Sequence, residues 1–320
     1  MAMLFSLEPD CPFATALAAK LEQPLAALED RRFEDGEHKL RPLVDPHGAD
    51  AFVIASLHGG PIDSPHDKLF RLLTFAATLR DHGAARVTAV VPYLAYARKD
   101  RRTKPFDPLT LRHVAELVEA VGVAQVIALE AHNVVAFENA FRCLTQHLEA
   151  HDAFDAAVHD LVGAAPLAVA SPDPGGVKRA QLWRESLEHR LARPVGFAMV
   201  DKRRSSGLVS SCNLVAGDVQ GKTVLVYDDL IASGDTVRRA ALALRHAGAE
   251  RVIACAAHGL FTGNAPEVLD CPAIDRLLVT DSVPPFRWPV TGPMAHKLGG
   301  VSAVPRFARA IRGCRIDVPS

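Results

Sequence analysis

The sequence predicts an α/β protein with mainly parallel sheets flanked by helices. Three observations lead there. First, 79-LRDHGAARVTAVVPY-93, 117-LVEAVGVAQVIALEAH-132 and 244-LRHAGAERVIACAAH-258 echo one another. Each reads as the end of an amphipathic helix, a glycine at its C-terminus, a short turn and an apolar strand. Second, strands are also expected at 51-AFVIAS-56, 167-LAVAS-171, 195-VGFAMV-200 and 223-TVLVYD-228. Their near-continuous apolar runs suit strands covered on both faces, as in parallel sheets with crossover helices. Third, helices are expected over 66–82, 109–121, 175–192 and 235–248, with a last one over 302–312, so the two element types alternate.

The echoes imply two similar halves, and 320 residues suit two domains. The polar, aromatic-punctuated region near 145–160 marks the expected boundary, giving domains 1–148 and 149–320, with room for the C-terminal segment to pack back on the first. The Pro-rich 281-DSVPPFRWPVTGP-293 reads as a loop. Apolar residues at 49 % and charged residues at 23 % exclude wholesale disorder. A net charge of −1 gives no global attraction to nucleic acid or an anionic membrane, so any anion site must be a local cluster. The six cysteines include no C-x-x-C pair, which argues against a disulfide or zinc framework and fits a reducing cytosol. Without a basic, apolar leader or a run of about 18 apolar residues, a soluble cytoplasmic protein is expected.

In open parallel sheets, ligands bind beyond the carboxyl ends of the strands. The segments there are 93-YLAYARKDRR-102, 130-EAHN-133, 171-SPDPGG-176, 201-DKRR-204, 228-DDLIASGDT-236 and 258-HGLFTG-263. They hold nearly all of the concentrated polar chemistry, which points to an enzyme. Asp228 and Asp229 close an apolar strand and can accept hydrogen bonds from two neighbouring sugar hydroxyls. Ser233, Gly234, Asp235 and Thr236 turn the chain into a helix N-terminus, whose free amides, hydroxyls and dipole suit a phosphate. A sugar phosphate needs those two sites side by side. Taken alone, the same stretch is also an ordinary N-cap and surface turn.

Together these motifs resemble the ribose-phosphate diphosphokinase (phosphoribosyl pyrophosphate synthase) family, a branch of the type I phosphoribosyltransferase fold. There FSDGE, YARQDR, a DLH-type strand end, SPDxGG, DKRR and a DD-xxx-[ST]-x-x-T loop occur in this order. Here they read 33-FEDGE-37, 96-YARKDR-101, 130-EAH-132, 171-SPDPGG-176, 201-DKRR-204 and 228-DDLIASGDT-236, within roughly residues 30–265. Any one motif is weak, whereas six in order are specific. The resemblance implies two tandem phosphoribosyltransferase-like domains, the first on the ATP side and the second carrying the ribose 5-phosphate loop. It implies transfer of a diphosphoryl group from Mg-ATP to the 1-hydroxyl of ribose 5-phosphate. It also implies a homo-oligomer, a dimer or a multiple of dimers, with the ATP site shared between subunits.

By the same resemblance, Lys202 and Arg204 lie on a mobile catalytic loop, 202–213, that closes over ATP and stabilises charge in the transition state. Phe33, Asp35 and Glu37 would come from the neighbouring subunit to bracket adenine. Arg98 and Lys99 would contact ATP, with Asp100 and Arg101 in the same basic stretch. His132 and Asp173 would hold Mg2+ with ATP oxygens and waters. Magnesium prefers oxygen ligands, so the His132 contact runs through water or directly to phosphate. Asp228, Asp229, Ser233, Gly234, Asp235 and Thr236 would hold ribose 5-phosphate.

The chain departs from the family pattern in places. Lys99 stands for the usual Gln, Glu130 for Asp, Ala232 for an acidic residue and Asp235 for a common Gly. The segment 101-RRTKPFDPLT-110 lacks the Arg-Ser-Arg of the phosphate-activated, ADP-inhibited class, and 311-IRGCRIDVPS-320 lacks its Ser-rich end. Two rival readings follow. A phosphoribosyltransferase uses the same sugar-phosphate loop but has no role for the ATP motifs. A catalytically silent paralogue acting as a regulatory subunit is kept open by Lys99, Ala232 and Asp235.

Overall fold

A computed structural model describes residues 1–201 and 214–314. Lys202 and Arg204 therefore lie outside the described residues. The chain divides into two compact units, Met1–Glu149 together with the residues from Ala303, and Ala150–Ser302.

In the first unit, β1 (Ala2–Ser6), β4 (Asp50–Ile54), β5 (Arg86–Val91), β6 (Gln125–Leu129) and β7 (Leu144–Leu148) form a sheet in the order β1-β4-β5-β6-β7. All its pairs are parallel. Helices α1 (Pro12–Leu21), α2 (Pro65–Asp81), α3 (Thr110–Ala120) and α4 (Val134–Ala140) belong to the same unit. The sheet's apolar runs are buried, and Phe5 meets Phe75 of α2 edge-on at 5.2 Å. A capping box between Ser64 and Asp67, with Pro65 in the first turn, fixes where α2 starts. The last helix, α9 (Val304–Gly313), packs on α1, where Phe13 and Phe307 meet edge-on at 5.3 Å. An antiparallel hairpin stands apart from the sheet: β2 (Leu28–Arg32) and β3 (His38–Pro42) pair from Leu28↔Pro42 to Arg32↔His38. No element is expected there from the sequence.

In the second unit, β8 (Leu167–Ser171), β9 (Gly196–Asp201), β10 (Leu214–Ala216), β11 (Thr223–Ile231), β12 (Arg251–Gly259), β13 (Arg276–Thr280) and β14 (Leu298–Val301) lie in the order β10-β9-β8-β11-β12-β13-β14. Only the described edge pair, β10 with β9, is antiparallel. Helices α5 (His151–Val162), α6 (Val177–Leu191), α7 (Asp235–His246) and α8 (Ala265–Leu269) complete the unit. Phe154, Trp183 and Tyr227 make a fully buried aromatic knot, with Trp183 and Tyr227 centroids 4.8 Å apart.

The echoed glycines, Gly83, Gly122 and Gly248, all end helices in the left-handed region, at φ of 81°, 84° and 93°. The structure revises two element boundaries. The expected strand 223–228 runs on to Ile231, because Leu230 and Ile231 continue the ladder with His258 and Gly259 of β12. The acidic pair thus sits inside β11 rather than after it. The helix expected from 175 begins at Val177, after a tight turn at Pro174–Gly176 set by the Asp173 side chain. The polar region 145–160 carries regular structure, β7 and α5, with Phe154 fully buried. No helix among the described residues is long and apolar enough to cross a membrane.

Candidate active site

In the second unit, the site begins with two carboxylates that the strand pushes out of water. Asp229 is buried, and its backbone N–H donates to Asp228 Oδ1 at 2.9 Å. Burial first, and then the neighbouring Asp229 charge, push the Asp228 carboxyl well above the usual carboxylate range. The counter-charge is Arg179 on α6, whose Nη1 lies 3.8 Å from Asp228 Oδ1 and 3.6 Å from Asp229 Oδ1. Sequence reasoning missed Arg179. Its signal is position: it lies three residues past the last glycine of 171-SPDPGG-176, in the first turn of α6. Helical side chains lean toward the N-terminus, which returns this guanidinium to the strand ends.

Residues 232–234 connect β11 to α7. Their base is fastened to the segment after β12. Leu260 and Phe261 both donate backbone N–H bonds to the Ile231 carbonyl, and Thr262 donates to Ala232. Gly234 is required twice over. Its φ is 84°, and an added Cβ would come within 2.7 Å of Leu269 Cγ. Gly234→Ala is therefore expected to cost about 1–3 kcal/mol in stability. Urea unfolding measures this; an unchanged midpoint would mean the loop takes another course. The α7 N-terminus supplies amides, but the hydroxyls are engaged. Ser233 Oγ donates to Asp235 Oδ2 at 2.8 Å, and Thr236 Oγ1 accepts from Arg239 Nη2 at 3.4 Å. The Asp235 carboxylate therefore turns toward the loop rather than away from it.

Asp173 follows β8. Its Oδ1 accepts from the amides of Gly175 and Gly176 at 2.9 and 3.2 Å, and Ser171 Oγ donates to its carbonyl at 2.6 Å. The carboxylate is thus held in one orientation. Among the described residues, no group of three or more His, Cys, Asp or Glu could hold a metal ion. A magnesium ion suits such a sparse set, since it keeps waters and uses one or two carboxylates with substrate phosphates. His132 belongs to the first unit and Asp173 to the second.

In the first unit, the segments after β5 and β6 meet. Asn133 Nδ2 donates to Asp100 Oδ2 at 2.7 Å. Glu130 is buried in the left-handed region at φ 42°, and Tyr96 is left-handed at φ 66°. Such backbone persists where the surroundings over-determine it, which is common at functional sites. His132 is exposed beside Asn133, and Arg98 and Arg101 are exposed on the basic stretch. Lys99 is committed internally: its Nζ lies 2.6 Å from Asp107 Oδ2. Asp107 also accepts from the amides of Thr103 and Lys104, and the bond from Lys99 and those from Thr103 hold its carboxyl well below the usual range. The charge that Lys99 brings is therefore balanced within its own loop. Phe33, Asp35 and Glu37 occupy the hairpin tip. Phe33 N donates to Glu37 O at 2.8 Å, Glu37 N donates to Asp35 Oδ1 at 3.0 Å, and the Arg31 guanidinium lies 4.8 Å over the Phe33 ring.

Comparison with known proteins sharpens this picture. Residues 2–122 match the family model described as the N-terminal domain of ribose phosphate pyrophosphokinase, and residues 209–315 match the phosphoribosyl synthetase-associated domain. The ribose-phosphate pyrophosphokinase of Mycoplasma pneumoniae is 34 % identical over 286 residues, covering 88 % of this chain and 84 % of that one. The Campylobacter jejuni protein of the same name is 31 % identical over 317 residues, covering 97 % and 94 %. The chain belongs to the ribose-phosphate pyrophosphokinase family. The crystal structure of phosphoribosylpyrophosphate synthetase from Mycobacterium smegmatis agrees, with a TM-score of 0.84 at 30 % identity over 98 % of both chains. Family membership accounts for both kinds of motif in one chain, those of the first unit and the acidic pair and loop of the second. A phosphoribosyltransferase would leave 33-FEDGE-37 and 96-YARKDR-101 without a role.

Proposed function

We propose that the protein transfers the diphosphoryl group of Mg-ATP to the 1-hydroxyl of ribose 5-phosphate, releasing AMP. Family membership supports the reaction. The observation that carries the sugar assignment is the pair of half-buried Asp228 and buried Asp229 on Arg179, one short turn ahead of the α7 amides. In this reading, the carboxylates accept the ribose hydroxyls and hold the sugar by its diol, while the amides of 233–236 take the 5-phosphate. The 1-hydroxyl oxygen then forms a bond to the β-phosphorus of ATP as its proton is released to solvent, and the bond from that phosphorus to the AMP oxygen breaks. Lys202 and Arg204 are assigned to the charge that develops on the transferring group. Arg98, Lys99, Asp100, Arg101 and His132 are assigned to ATP, with Phe33, Asp35 and Glu37 reaching adenine from a neighbouring subunit. Asp173 and His132 are the residues assigned to Mg2+, which would supply neutralising charge on the phosphates. The protein is assigned to the cytoplasm, as a homo-oligomer that is a dimer or a multiple of dimers. Purified protein incubated with Mg-ATP and ribose 5-phosphate should release AMP in step with the phosphorylated sugar product. No AMP across several pentose phosphates would leave the silent-paralogue reading, which the Ser233–Asp235 bond within the phosphate loop favours.

Regulation by phosphate or ADP at a second site is not expected. The loop that would build it spends its donors inwardly, since Lys99 Nζ, Thr103 Oγ1 and two amides all go to Asp107. Phe106 is fully exposed in the left-handed region, and Pro105 has no N–H to give. Activity without added phosphate, and ADP inhibition that saturating ATP relieves, are the expected results. Cooperative ADP inhibition persisting at saturating ATP would show an effector site.

A further inference from the structure

The hairpin of β2 and β3 carries the proposed adenine contacts at its tip, yet a two-stranded ribbon alone is marginally stable in water. Something in the body of the unit has to fix its direction. Part of the anchor is apolar: Leu40 of β3 is buried in the core, and Leu28 of β2 packs against that core half-buried. The rest is ionic and centres on Arg71 of α2, which is only 4 % exposed. Arg71 Nη2 donates to the Leu7 carbonyl at 2.7 Å and pairs with Asp30 Oδ2 on β2. Its other terminal nitrogen, Nη1, donates to Asp63 Oδ2 at 2.9 Å. Both carboxylates continue the network into the hairpin. Asp30 Oδ1 lies 3.2 Å from His38 Nδ1 on β3, and Asp63 Oδ1 lies 3.5 Å from Arg32 Nη1 on β2. Arg32 and His38 are the last paired residues before the tip. One buried guanidinium therefore reaches, through two carboxylates, the pair of residues that closes the ribbon's mouth.

We infer that Arg71 is a positioning residue for nucleotide recognition, aiming the hairpin through Asp30 and Asp63 so that Phe33, Asp35 and Glu37 meet the adenine base. This rests on the ATP-dependent reaction proposed above. The geometry argues for Arg rather than Lys. A planar fork can hold two carboxylates and a carbonyl at fixed angles, whereas an ammonium is a rotating point charge. Burial adds to this, because an aqueous ion pair of the same length would be loosened by solvent. In the proposed reading the tip faces the base, so loosening the ribbon should degrade base recognition and leave the sugar phosphate and the transfer step untouched. A purely structural role predicts something else: less folded protein, with the remainder behaving as wild type.

The test compares wild type with Arg71→Lys and Asp30→Asn in the full-length protein. Initial rates are measured with ATP and with GTP as donors, at varied ribose 5-phosphate. Expected are a rise of about tenfold in KM for ATP, a fall of similar size in the preference for ATP over GTP, and a KM for ribose 5-phosphate within about twofold of wild type. Folded content is checked by thermal melting, and Arg71→Lys keeps the buried positive charge should Asp30→Asn fail to fold. A folded Arg71→Lys protein with unchanged ATP KM and unchanged base preference overturns the inference. Parallel losses for all substrates, at constant base preference, overturn it as well. Absence of AMP release by the wild-type protein is a different outcome, since it removes the proposed reaction itself.

Discussion

Lys202→Ala and Arg204→Ala are each expected to lower kcat by about 10²–10³ with little change in ATP affinity. The transferred group passes through a loose transition state whose charge spreads over its oxygens, so catalysis depends on placed cations more than on covalent chemistry. The motif 201-DKRR-204 offers cations directly after β9 in the chain, and 33-FEDGE-37 and 96-YARKDR-101 are the segments proposed for ground-state contacts to the nucleotide. An interaction made only in the transition state lowers kcat and kcat/KM together. Steady-state kinetics with ATP varied, combined with calorimetric ATP binding, separates the cases. A raised KM at unchanged kcat would place these residues among ordinary binding groups.

Asp228→Asn and Asp229→Asn are expected to raise KM for ribose 5-phosphate by about 10- to 100-fold and leave ATP binding nearly intact. Hydrogen bonds to a charged acceptor contribute about 1.5–3 kcal/mol, and an amide presents one face of the wrong polarity to a hydroxyl donor. The structure also predicts how stability should respond at Asp228. Burial and the Asp229 charge raise its folded-state pKa, so the fold favours the protonated acid. The stability it contributes is full below the unfolded-state pKa and declines as pH rises through the folded one. The amide of the Asp228→Asn protein never ionises, so that protein lacks the decline. The variant should therefore melt no lower than wild type at neutral pH and lose its relative advantage in acid. A large drop in melting temperature at neutral pH would mean that the Arg179 pair outweighs the burial cost. Equal loss of ATP affinity would move the acidic pair from the sugar to the metal or nucleotide.

Much of this protein was legible in residues alone, because some signals are local. The apolar runs and the echoed glycines are short-range instructions: continuous burial on both faces for a parallel strand, and a left-handed residue to end a helix. The strand ends then follow from topology, and the order of the motifs points to the family. The hairpin at 28–42 was invisible because neither strand has an apolar run; 28-LEDRR-32 is charged at every position but the first, and only Leu40 of the two strands is buried. What holds that ribbon is Arg71, 41 residues from Asp30 in the chain, and no periodicity records such a distance. The same limit applies to Arg179 beneath the acidic pair, to Asp107 neutralising Lys99, and to the two extra residue pairs that lengthen β11. Sequence determined the fold class, the family and the residue types proposed for the substrate, since these depend on neighbours a few positions apart. Tertiary structure decided which charges face one another out of water, because the energy of a buried ion depends on partners that only folding brings near.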